Sequence, residues 1–349
     1  MQGQEVEGGM SSSISHVHAS EYAELKQIIK LQGLLDKRPA CYVFQLFFTL
    51  GMLALSASLL LLTDSLLLQL FNAAFMAFIF TQIAFIAHDA GHRQIFQSVR
   101  KNDILGLLLG NFVLGLSRAW WVTKHNQHHA NPNHTDLDPD IDLPIFAFSA
   151  EQARRKQAIP RFVVKYQAYI FFPLLLLEAF HLLIFSVSFL LQKKPKRYLL
   201  AETILIVAHI SLYGGLLFYL LGIWPAVLFI AVHQALFGLY LGSVFAPNHK
   251  GMLILDDGNQ MDFLRRQVLT SRNLKSHPIT DFLFGPLGCQ IEHHLFPSMP
   301  RSNLREAEKT VKDFCEKRSI THHETSVLNS YRETLQYLHQ VGRSLRQGT

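Results

Sequence analysis

Residues 42–62, YVFQLFFTLGMLALSASLLLL, and residues 66–87, LLLQLFNAAFMAFIFTQIAFIA, are separated by Thr63, Asp64 and Ser65 alone. A helix needs about 20 apolar residues to cross the hydrocarbon core of a bilayer, and each run meets that length. Residues 198–222 and 225–245 form a second such pair, joined by Ile223 and Trp224. The pattern predicts an all-α integral membrane protein built on two helical hairpins. Composition agrees: 49% of the 349 residues are hydrophobic, 17% are charged and 27 are Phe, which is unlike an ordinary soluble domain.

Charge placement orients the hairpins. Neither tight turn carries Lys or Arg, whereas Lys26, Lys30, Lys37 and Arg38 precede the first hairpin, Arg93, Arg100 and Lys101 follow it, and Lys193, Lys194, Lys196 and Arg197 precede the second. The positive-inside rule then puts both open ends, and both chain termini, in the cytosol. A full crossing by residues 168–191 would invert everything after it. Pro173, Glu178 and His181 interrupt that segment, so it is predicted to lie in the interface, as is the shorter run 104–116. Residues 1–40 are polar and lack the apolar stretch of a signal peptide. They read as a cytosolic segment ahead of a membrane domain over 41–349, whose cytosolic C-terminal region starts at about 247 and is polar and amphipathic, as a helical cap, from about Gln290.

The net charge of +6, from 32 Lys plus Arg against 26 Asp plus Glu, suits loops beside anionic head groups and argues against nucleic-acid binding. Cys41, Cys289 and Cys315 are far apart, with no CxxC pair for zinc or an iron–sulfur cluster. Metal chemistry, if present, falls to the eighteen histidines.

Three clusters of these sit beyond the ends of predicted spans. They are His88-Asp89-Ala90-Gly91-His92, His125-Asn126-Gln127-His128-His129 and Gln290-Ile291-Glu292-His293-His294. Histidines at i, i+3 and i+4 share one helix face and can converge on one ion. The clusters resemble the histidine boxes HxxxH, HxxHH and H/QxxHH of the membrane fatty acid desaturases, in the same order relative to two hairpins, over about residues 40–300. Gln290-Ile291-Glu292-His293-His294 followed by Leu295-Phe296-Pro297 is similar to the glutamine variant of the third box, found in front-end and many bacterial enzymes. The resemblance implies one more ligand at the end of the last span, and His249 in Asn248-His249-Lys250 holds that place.

Seven box histidines plus His249 make eight, twice what one tetrahedral ion uses. Imidazole suits several metals, so two iron ions, with O2 as co-substrate, follow from the resemblance. Gln290 is either a weak amide ligand or a holder of bound water. Ligating imidazoles usually donate their other N–H to a carboxylate or carbonyl, which makes Asp89, Asp136, Asp138 and Glu292 candidates for that support. His209 and His233 fall inside spans; His16, His18, His322 and His323 are expected to face solvent. His134 stays open between ligand and loop residue, and Asp140 and Asp142 read as loop and cap chemistry. Trp120 and Trp121 are read first as an interfacial aromatic belt and second as channel lining.

The resemblance implies a fatty acyl desaturase that removes two hydrogens from adjacent methylenes of a lipid-linked or CoA-linked chain, forming a cis double bond. No haem motif, GxGxxG signature or cysteine cluster is present to supply electrons. A separate ferredoxin, cytochrome b5 or flavin reductase is therefore expected, as in a bacterial-type enzyme. A di-iron lipid hydroxylase could use the same ligands. A divalent-metal transporter is disfavoured, because transporters place ionisable ligands near the bilayer midplane.

Overall fold

The computed structural model describes residues 21–192, 197–259 and 261–347. Helix α1 covers residues 21–31, and the first hairpin pairs α2 (Pro39–Leu62) with α3 (Leu66–Gly91). Next, α4 (Val99–Gly106) runs into a π-helical turn (Leu107–Val113) and then α5 (Arg118–Ala130). Helices α6 (Ala150–Arg155), α7 (Ala158–Lys165), α8 (Gln167–Leu175) and α9 (Glu178–Leu191) lead to the second hairpin, α10 (Leu199–Leu221) and α11 (Ile223–His249). The cap follows with α12 (Phe263–Leu269), α13 (Pro278–Phe284), a 3-10 turn (Gly285–Cys289), α14 (Gln290–Leu295), α15 (Arg301–Glu316) and α16 (Val327–Arg346). Two residues of strand, Asn273–Leu274, pair in parallel with Glu324–Thr325. The fold is all-α, and α2, α3, α10 and α11 are long and apolar enough to cross a membrane.

Each hairpin has a local cause. In the first, Gln69 at the start of α3 donates from Nε2 to Leu59 O (3.0 Å) and Thr63 O (2.8 Å), satisfying carbonyls at the end of α2. One turn on, buried Asn72 and Ser56 bond each other across the pair. The second hairpin turns at Gly222 (φ +75°), a backbone shape that favours glycine. Ile223 and Trp224, expected to form the turn, instead begin α11. Buried Ile79, Phe80 and Ile83 of α3 and Phe229 and Phe237 of α11 build the apolar centre. Phe44, Phe47, Leu62, Tyr219 and Trp224 are exposed, as expected of side chains facing lipid.

The two segments expected to lie in the interface are each broken. The α4–π pair meets α5 at 113° and α8 meets α9 at 70°. Gly115 (φ +71°) makes the first bend, where a Cβ would sit 2.5 Å from His209 Cδ2. His209 donates from Nδ1 to Phe112 O (3.0 Å) and so braces that bend. At the second break, Gly238 of α11 lies so near the 175–179 backbone that a Cβ would be 2.7 Å from Leu175 O.

A second core fills the cap. Leu25, Ile29 and Leu34 are buried with Leu264, Ile291, Leu295, Leu304 and Val311, so residues just ahead of α2 pack with the far end of the chain. His16 and His18, and Lys193, Lys194 and Lys196 of the basic cluster, lie outside the described residues.

Candidate metal centre

At 1.5 Å rise per residue, the 27 residues of α11 reach about 40 Å, past the roughly 30 Å of hydrocarbon. The excess carries His249 out of the membrane region, as the last turns of α3 carry His88. Helix α5, redirected by the bend at Gly115, brings in His125, His128 and His129, and α14 brings in His293 and His294. All eight predicted histidines converge.

They form two groups. His88, His92, His125 and His293 each offer a nitrogen within 4.8 Å of the others', as do His128, His249 and His294. His129 lies between, with Nε2 3.1 Å from His125 Nε2 and its ring stacked on His294 at 4.1 Å. In the second group His249 Nε2 is 3.2 Å from His128 Nε2 and 3.1 Å from His294 Nε2.

The outer nitrogens explain this aim. His88 Nδ1 donates to Asp89 Oδ1 (3.0 Å), His128 Nδ1 to Asp138 (3.0 Å), His249 Nδ1 to Thr270 O (2.9 Å) and His294 Nδ1 to Gln267 Oε1 (2.9 Å). A ring that donates from Nδ1 presents Nε2 as a lone pair. Burial and the neighbouring imidazoles hold His92, His125, His129, His293 and His294 well below the usual imidazole value. For His128, burial lowers but Asp138 and Asp140 outweigh it, and the net shift is upward. His88 Nε2, His92 Nε2 and both nitrogens of His293 are buried without a hydrogen-bond partner. Such orphaned nitrogens are costly in a protein interior; all belong to the first group, where a cation would satisfy them. The donor set fits metal ions.

Of the four acids expected to support ligands, two do. Asp89 also meets Arg301 Nε with its second oxygen. Asp138 additionally accepts from Asn133 N (2.7 Å) and Asp140 N (2.8 Å). Asp136 is exposed and bonds Thr135. Glu292 points away from both groups, accepting from Asn273 Nδ2 (2.7 Å) and bonding His322 Nε2 (3.1 Å). Asn273 Oδ1 in turn takes the Ile291 amide at the start of α14 (2.9 Å). His322, expected in solvent, is therefore a buried partner behind the third cluster, while His323 pairs with Glu333 at the surface. His134 faces Asp257 at 3.5 Å, away from the centre. Gln290 is buried, with Nε2 2.9 Å from His249 Nε2 and Oε1 accepting from Asn248 (3.2 Å).

Sequence reasoning missed Gln267, Thr270, Arg301 and Glu202. Glu202, buried in α10, accepts from Asn111 Nδ2 (3.1 Å), Ser117 Oγ (2.6 Å) and the Ala119 amide (3.0 Å) and so seats the start of α5. A charge four residues into an apolar run was the available signal.

A mostly apolar cavity of about 230 Å3 is lined by His88, His125, His128, His249 and Gln290. Leu114, Leu175, Leu182, Leu241 and Phe245 line it, as do Trp120 and Trp121. Trp121 stacks on His125 at 4.4 Å. The tryptophans are thus channel lining, their second expected role.

The family model for fatty acid desaturases matches residues 64–326. An acyl-lipid (9-3)-desaturase of Physcomitrium patens is 30% identical over 93% of this chain, which spans 63% of that protein. The Delta(6)-fatty-acid desaturase fat-3 of Caenorhabditis elegans is 30% identical over 93% of this chain and 75% of its own length. A Delta 8-(E)-sphingolipid desaturase of Emericella nidulans is 28% identical over 93% and 62%. With histidines of both groups lining a mostly apolar cavity between membrane helices, the chain belongs to the fatty acid desaturase family.

Proposed function

We propose that this chain is an oxygen-dependent fatty acyl desaturase that introduces a cis double bond into an ester- or thioester-linked chain. The observation that carries the reading is that histidines of both imidazole groups line a mostly apolar cavity. His88, His92, His125 and His293 would hold one iron and His128, His249 and His294 the other, with His129 between them and Gln290 beside His249. Bound iron supplies the oxidising power, drawn from O2, that an unactivated methylene requires, since such a C–H has no acidity for side-chain bases to exploit.

The chain's own residues do the rest. Asp89, Asp138, Thr270 and Gln267 fix four rings with Nε2 inward. Trp121 and the leucines exclude water and hold the acyl chain against the histidines. The Delta(6) name of the Caenorhabditis elegans relative counts from the carboxyl end, and we extend a carboxyl-proximal placement to this chain. Electrons come from a separate donor such as a ferredoxin, cytochrome b5 or flavin reductase, docking on the cytosolic side where the cap and both termini lie.

Expression in a yeast or bacterium with a compatible donor, beside a His293→Ala/His294→Ala control, tests this by gas chromatography–mass spectrometry with double-bond derivatisation. A new unsaturated acid only with intact histidines is expected. A hydroxylated product without alkene would overturn the desaturase reading in favour of a hydroxylase.

A further inference from the structure

The cavity is mostly apolar, but apart from the histidines, Gln290, Ser117 and Arg118 it also has an ionic wall. There Lys124 of α5, Asp140, Lys250 just beyond α11, and Glu178 and His181 of α9 face the same space. Lys124 Nζ is paired with Asp140 Oδ1. Lys250 Nζ donates to Asp140 O (2.9 Å) and lies 4.2 Å over the Phe148 ring. Glu178 and His181 approach to 3.4 Å. Lys124 and Asp140 are walled in by protein, yet 29% and 30% of their side-chain surface remains accessible. Both line the cavity.

Ionic groups beside a mostly apolar cavity are expensive to desolvate and are retained where they meet a ligand. An ammonium carries three N–H donors. Among the described residues Lys124 spends one on Asp140, and Lys250 one on a backbone carbonyl, so donors remain on both. Two ammonium groups against Asp140 and Glu178 leave the wall close to electrical balance. A balanced wall with spare donors suits a neutral acceptor better than a free carboxylate, whose extra charge would be uncompensated.

The geometry points to Lys124, with Lys250, as the subsite that takes the carbonyl oxygen of the acyl ester or thioester, the polar head of the substrate. This rests on the desaturase reading and deepens it. Asp140 Oδ2 is 3.5 Å from His128 Nδ1, so a carbonyl on Lys124 lies two ionic contacts from the second histidine group. The chain from that carbonyl can then present only its early methylenes to the centre, which makes Lys124 a specificity-determining residue that measures bond position from the carboxyl end.

Two measurements test it. In metal-free protein, two of the three tryptophans in the chain line the cavity, so quenching by a brominated acyl methyl ester reads occupancy without turnover. The ester should bind about ten-fold more tightly than the brominated alkyl ether of equal length, which lacks the carbonyl, and Lys124→Met should erase the difference while Lys124→Arg keeps most of it. Equal binding of ester and ether to the wild type would overturn the proposal whether or not any variant folds.

In the loaded enzyme, linoleoyl-CoA and dilinoleoylphosphatidylcholine are supplied in turn. Lys124→Met should raise KM about ten-fold or more on the carrier used and scatter the bond position, with iron content kept. Loss of kcat and iron together, with KM and bond position unchanged, would mean that Lys124 merely supports Asp140 and His128. Absence of any alkene from the wild type would count against the desaturase reading, and the ester–ether comparison would still judge the subsite.

Discussion

Asp138 is the residue on which the second histidine group depends most. It takes His128 Nδ1 and two backbone amides on its two oxygens, so turning one oxygen into an amide NH2 removes an acceptor and the charge that hold the ring. Asp138→Asn should weaken metal binding about 10- to 100-fold, measured by chelator competition. Gln267→Leu, which leaves His294 Nδ1 without its acceptor, should fall in the same range.

The histidines also set a pH limit. An unfolded imidazole titrates near 6.5, whereas burial keeps His92, His125, His129, His293 and His294 neutral well below that. Between 6.5 and the lowered folded values the unfolded chain binds more protons, so stability falls as pH falls. Thermal melts of the metal-free protein should show a midpoint constant above about pH 7 and decreasing below 6.5. A midpoint that rises on acidification would contradict the burial of neutral rings.

At the scale of elements, two close approaches position the centre. A Cβ on Gly91 would lie 2.3 Å from Trp121 Cζ3, and Trp121 stacks on His125. Gly91→Ala must therefore push the indole off the second cluster. A cost of about 1–3 kcal/mol is expected, together with reduced iron content. Glu202 ties α10 to the π-helical turn through one bond and to the start of α5 through two, and Glu202→Ala strands those donors in an apolar region, at about 3 kcal/mol or more. Glu202→Gln, which retains acceptors, should lose less; equal loss in both would show that shape rather than hydrogen bonding seats α5.

The elements themselves were legible because each span declares its length and each cluster its helical spacing. What the sequence hid was local. The reach of α11 to His249 crosses Pro247, a residue that ordinarily signals a helix end. The supports from Gln267, Thr270 and Arg301 come from segments far from any cluster, so no spacing announces them. His322 stood in a polar tail, and only the fold buries it against Glu292.

Over the whole molecule, the membrane hairpins and the cap are two apolar cores with the histidines at their junction. The network Tyr42–Gln94–Pro297 and Asp89–Arg301 stitches them together: Tyr42 Oη donates to Gln94 (3.0 Å) and accepts from Arg301 N (3.0 Å), and Gln94 Nε2 donates to Pro297 O (2.9 Å). That junction places the centre between the hairpins and the cap. The eight converging histidines are proposed to hold two irons. Elemental analysis of the purified full-length protein tests it most directly: about two irons per chain is the predicted result, and zinc in their place, or no metal retained, would contradict the account.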